Sequence, residues 1–85
     1  MKEEKKAPGK PFDMESIIVL IAERFNRKPE TIGDDTHLIN DLGADSIDMI
    51  DVLLTLESAF GCRIPFEDSP ELYSPKAIYQ YLSEM

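Results

Sequence analysis

The sequence has little cysteine, few bases and no long apolar run, and each shortage closes a class of function. A single cysteine, Cys62, cannot form an internal disulfide framework or a zinc site built on paired cysteines. Nine Lys and Arg against seventeen Asp and Glu leave a net charge of −8 over 85 residues. That is the wrong sign for a nucleic-acid footprint and for docking on an anionic membrane. No apolar stretch approaches the ~20 residues of a membrane span. Met1–Lys10 is polar and lacks an apolar h-region, so it does not read as a signal peptide. What remains is one small acidic domain, expected to be monomeric and to sit in a reducing, cytoplasmic setting. Its hydrophobic content of 42% is enough for a core. That core is marginal, because a chain this size buries only roughly 60–65% of its unfolded surface.

The acidic excess is concentrated. Residues 30–71 hold eleven acids and one base, Arg63, so this stretch alone exceeds the charge of the whole chain. Like charges at that density repel one another and cost stability. A basic partner is the simplest reason to keep them.

Residues 1–11 mix charge, Pro and Gly without periodicity and read as a mobile tail; residues 12–85 read as the domain. Asp13 is a good N-cap, and Met14, Ile17, Ile18, Ile21 and Phe25 follow as one apolar stripe at helical period. This first helix should stop near Asn26, before Pro29. Residues 27–44 form a long connection, pinned by Ile32, Leu38, Ile39 and Leu42. A loop this long in so small a domain is often functional.

The second helix starts at Asp45 or Ser46 and ends at Gly61, a natural C′ residue. Asp45 and Asp48 stand three apart, as in a capping box. Met49, Val52, Leu53, Leu56 and Phe60 make a complete core stripe. A second apolar row, Ile47, Ile50 and Leu54, is left over beside Asp48, Asp51 and Glu57. It reads as a docking face at the surface, with burial under the long loop as the alternative. Asp68 or Ser69 with Pro70 predicts one short turn through Leu72. Ser74-Pro75 opens a last helix carrying Ile78, Tyr81, Leu82 and Met85 to the C-terminus. The expected fold is an all-α, small four-helix bundle, three main helices plus one short one, with a long loop between helices 1 and 2.

Catalytic chemistry finds little support. Ser46, Cys62 and His37 could in principle supply a nucleophile and base, but no nucleophile elbow or oxyanion motif is present. His37 reads as a loop residue and Cys62 as a half-buried structural thiol. A calcium loop starting at Asp41 fails, with Ser46 at its sixth position and Val52 at its twelfth. Ser46 stands at the junction of the long loop and the second helix. A helix N-terminus presents a hydroxyl near free backbone N–H groups and the positive end of the dipole, a setting that favours a phosphate ester. On position alone, a plain N-cap serine is the commoner role.

The segment Leu42–Pro65, LGADSIDMIDVLLTLESAFGCRIP, resembles the core of acyl carrier proteins. The matching features are Asp45-Ser46-Ile47 after a Leu-Gly-x turn, the apolar and acidic helix, Phe60-Gly61 and Ile64-Pro65. The resemblance extends weakly over residues 12–85. It implies that Ser46 carries 4′-phosphopantetheine, transferred from coenzyme A by a carrier protein synthase (a phosphopantetheinyl transferase) using magnesium. The protein would then hold acyl groups as thioesters and shuttle them among fatty-acid and lipid enzymes, without itself being an enzyme. Partner enzymes with basic patches would meet Asp45, Asp48, Asp51 and Glu57, with Ile47, Ile50 and Leu54 as the apolar contact. A cleft for the acyl chain would be lined by core residues such as Leu53, Leu56, Ile64 and Ile78. The chain departs from the family pattern at Ile47, usually Leu; at Met49, usually small; at Phe66, usually acidic; and at Pro70, which interrupts an acidic third helix. A polyketide or other specialised acyl pathway therefore stays open, as does an unmodified acidic interaction module of the same fold.

Overall fold

In the computed structural model, which describes residues 7–85, each α-helix opens on a side-chain oxygen. Asp13 Oδ1 accepts the Ser16 N–H at 2.8 Å and starts α1, Met14–Arg24. The helix ends as expected near Asn26, which turns left-handed at φ 56° while the Arg27 N–H reaches back to the Ala22 carbonyl at 2.8 Å. Asp45 caps α2, Ser46–Phe60, and Gly61 closes it at φ 64°, a conformation glycine adopts without a Cβ penalty. Ser74 Oγ accepts the Ala77 N–H at 3.1 Å and opens α3, Pro75–Ser83, with Pro75 at the first helical position.

The apolar stripes meet in one core. Ile17 and Ile21 come from α1, all five stripe residues from α2, and Ile78, Tyr81 and Leu82 from α3. Fully burying such a side chain stabilises the fold by ~1.5–3 kcal/mol. α1 packs on α3 and α2, while a short 3-10 helix, Phe66–Glu71, bridges α2 to α3. This is the three-plus-one all-α arrangement expected from the pattern.

Several details differ from expectation. The short helix starts at Phe66, not at Asp68 or Ser69. Asp68 is turned to accept the Tyr81 hydroxyl, so it ties the short helix to α3 and does not cap it. Burial and that carboxylate both push the Tyr81 phenol up from its ordinary range, burial first. α3 stops at Ser83, just short of the chain end. Of the expected tail, residues 1–6 lie outside the described residues. Gly9 and Lys10 are tied down: both N–H groups donate to the Phe60 carbonyl, at 3.0 and 3.1 Å. They satisfy an acceptor that the end of α2 leaves open. Phe12 packs edge-on against Phe60 and Tyr79 just beyond.

The long connection is built, not slack. It makes a 3-10 turn at Pro29–Thr31, and the Leu38 N–H donates to the Tyr73 carbonyl at 2.8 Å. Ile32 and Leu38 are buried and Leu42 half-buried, as expected, but Ile39 is 46% exposed. The turn from His37 to Gly43 sends neighbouring side chains opposite ways, so Leu38 takes the core position and Ile39 faces out. Leu38→Ala should therefore cost ~2–5 kcal/mol in urea unfolding, whereas Ile39→Ala should shift the midpoint little.

Candidate functional site

The site begins with the register of α2. Asp45 Oδ1 accepts the Asp48 N–H at 2.9 Å, and Asp48 Oδ2 accepts the Asp45 N–H at 3.2 Å. This reciprocal box makes Asp45 the N-cap and Ser46 the first helical residue. The cap role that position alone would have given Ser46 thus belongs to its neighbour. Ser46 is exposed, and its hydroxyl has no hydrogen-bond partner among the described residues. It projects from the helix end where unpaired N–H groups and the positive dipole gather.

Beside Ser46 lies a groove of about 370 Å³, walled by Ile39, Ala44, Met49 and Ile50 on one side and by Phe66, Ser69 and Pro70 of the short helix on the other. Its lining is almost wholly apolar apart from Asp45 and the two serines. Larger, more open grooves run along α1 and α2, but they do not touch Ser46. The Ser46 groove sets an exposed hydroxyl at a helix N-terminus beside an apolar bed.

The second apolar row lies where the spacing put it. Ile47 is 68% and Leu54 53% exposed, with Ile50 half-buried at the groove edge. The acids are less free than the sequence implied. One Arg24 nitrogen donates to Asp48 Oδ1 at 2.7 Å and to Asp51 Oδ2 at 2.8 Å. Glu57 Oε2 accepts the Ile64 N–H at 2.7 Å, so it secures the turn after α2. Asp45 is exposed, while Asp48, Asp51 and Glu57 are half-buried as whole residues, the Asp51 side chain being more open than that of Asp48. The expected cleft residues Leu53, Leu56, Ile64 and Ile78 all sit in the packed core, and none of them lines the groove.

Sequence reasoning missed Ile39 as a groove wall and Arg24 as a partner of the α2 acids. Phe66 was visible as an oddity, since an aromatic after Ile64-Pro65 replaces an expected acid. Nothing along the chain could flag Arg24, which lies 24 and 27 residues from its partners. His37 is a loop residue, its ring stacked on Tyr73 and its Nδ1 accepting the Asn40 N–H. Cys62 is half-buried, and burial, with Glu57 nearby, pushes its thiol up from its ordinary value. No helix among the described residues is long and apolar enough to cross a membrane.

The Asp48 carboxyl is held below its usual value of 3.8, chiefly by the Asp45 N–H and then by Arg24. A depressed folded-state pKa stabilises the fold above the unfolded value and loses that contribution as pH falls through the folded one. Asp48→Asn should therefore flatten the fall in stability below pH 3.8, read from thermal melts across an acid series.

A family model for a phosphopantetheine attachment site matches residues 15–82. The chain is similar to the acyl carrier protein of Syntrophobacter fumaroxidans, 35% identical over 68 residues that cover 80% of this chain and 84% of that one. It is also similar to the acyl carrier protein of Campylobacter hominis, 31% identical over 71 residues, covering 84% and 90%. A third relative, the acyl carrier protein of Rickettsia canadensis, is 29% identical over 70 residues, covering 82% and 81%.

Proposed function

The chain belongs to the acyl carrier protein family, a family of carriers and not catalysts, and from that membership we propose that Ser46 bears the carrier's 4′-phosphopantetheine arm. The observation that carries this reading is the exposed, unbonded Ser46 hydroxyl, capped by no one and capping nothing, at the mouth of an apolar groove. In the transfer, Ser46 Oγ forms a phosphodiester at the pantetheine-bearing phosphorus of coenzyme A. The pyrophosphate bond breaks, an adenosine bisphosphate leaves, and the serine proton passes to a base on the transferase. The arm supplies a terminal thiol that holds acyl groups as thioesters.

This chain's own residues do the rest. Asp45 keeps α2 wound up to the attachment point, so the anchor is fixed while what hangs from it is free. The groove between Ile39, Met49 and Phe66 gives the proximal arm or cargo a place out of water. We place the protein in fatty-acid and lipid synthesis, where it delivers acyl intermediates to enzymes with basic docking patches. The acid-rich α2 and the exposed Ile47 and Leu54 support that assignment. Exposed charge pairs of ~0–1 kcal/mol each give fast, salt-sensitive docking, which suits a shuttle.

Intact mass before and after incubation with coenzyme A, magnesium and a broad-specificity phosphopantetheinyl transferase tests the assignment. The wild type should gain one phosphopantetheinyl group, and Ser46→Ala should fold yet gain none. Uptake by Ser46→Ala would move the site elsewhere. A wild type that stays unmodified beside an active transferase would favour the unmodified interaction module.

A further inference from the structure

Arg24 stands in the last turn of α1 and reaches across to α2. Its guanidinium is held on three sides: by Asp48 and Asp51 through one nitrogen, and by the Phe25 ring, whose centroid lies 5.5 Å away. Both oxygens of Asp48 are in use, one on Arg24 and one on the Asp45 N–H. A cation arriving at this turn of α2 therefore meets a cation already seated.

The seat is shallow. The Arg24 and Asp48 side chains are 29% and 30% exposed and that of Asp51 49%, so the pair stays in contact with water. Exchange of one cation for another on the same carboxylates is then cheap, and Arg24 weakens docking without closing the face. Asp48 and Asp51 stand one helical turn apart, a spacing that one guanidinium spans. The groove next to them runs over Leu20, Leu54 and Ala59 and would take the aliphatic stem of an incoming arginine.

We propose that Arg24 determines docking specificity by occupying Asp48 and Asp51 in the free protein, so that an enzyme docks by displacing it with an arginine of its own. The inference rests on the carrier reading above. An enzyme with an arginine placed opposite this turn replaces the internal contact with an equivalent one. A surface that offers only a diffuse positive field gains less, because Arg24 offsets that field locally.

The test is transferase kinetics on the full chain with coenzyme A and magnesium, comparing wild type, Arg24→Gln, Arg24→Lys, Asp48→Asn/Asp51→Asn and the triple variant. Arg24→Gln should lower the KM for the carrier about two- to five-fold, the span of an exposed ion pair. Arg24→Lys should restore a KM near that of the wild type. The gain from Arg24→Gln should vanish in the Asp48→Asn/Asp51→Asn background, where there is no seat to vacate. A raised KM in Arg24→Gln would mean that the clamp presents the acids to partners, and would overturn the proposal. So would a full gain in the double-Asn background, which would trace the effect to the field of Arg24 and not to the clamp. An unmodified wild type would overturn the carrier reading and the proposal together, a result distinct from a modified wild type whose KM ignores Arg24.

Discussion

The Asp48 N–H points at Asp45 Oδ1, and the Asp45 N–H points back at Asp48 Oδ2. These two bonds fix where α2 begins: Asp45 is its cap and Ser46 its first helical residue. The phase of the helix is held separately, by Met49, Val52, Leu53, Leu56 and Phe60 packing into the core. The same bonds decide the chemistry of Ser46. Because Asp45 caps, the serine hydroxyl is left out of the helix's hydrogen bonding and remains available for attachment.

The acidity of the chain is also answered from within. Asp13, Asp41, Asp45, Asp48 and Glu57 each accept a backbone N–H, and Asp68 accepts the Tyr81 hydroxyl. Asp48 and Asp51 share Arg24. Carboxylates that accept hydrogen bonds from the backbone stabilise caps and turns while they repel one another at long range. On α2 Arg24 offsets part of the charge of Asp48 and Asp51, so that face is less acidic than composition implies. It becomes a mixed surface in which Asp45, Ile47, Leu54 and Phe66 stand exposed.

The helices and their caps were legible because the signals are local. An Asp or Ser before an apolar period, and a glycine after it, can be read within a few residues: Asp13 and Ser74 are the N-caps that the spacing pointed to, and Asp45 is one of the two residues it left open for α2. The α2 core stripe was readable for the same reason, since 3.6-residue periodicity depends on no distant partner. What stayed hidden depends on contacts far apart in the chain. Ile39 looks like a core residue until the turn around it sends Leu38 inward. Glu57 looks like a docking acid until the chain folds back and brings the Ile64 N–H to it. Asp68 looks like a cap until Tyr81 of α3 arrives. Ser46 lay between these cases: its place at the helix start was readable, but its freedom required knowing that Asp45 takes the cap.

That division of labour between Asp45 and Ser46 is the central claim, and amide hydrogen exchange at Asp48 reads it directly. The Asp48 N–H should be protected in the wild type and equally protected in Ser46→Ala, because no bond from the helix ends on the serine oxygen. It should lose its protection in Asp45→Ala. Loss of protection in Ser46→Ala, or its survival in Asp45→Ala, would mean that the serine caps α2 after all, and its hydroxyl would not be free to carry anything.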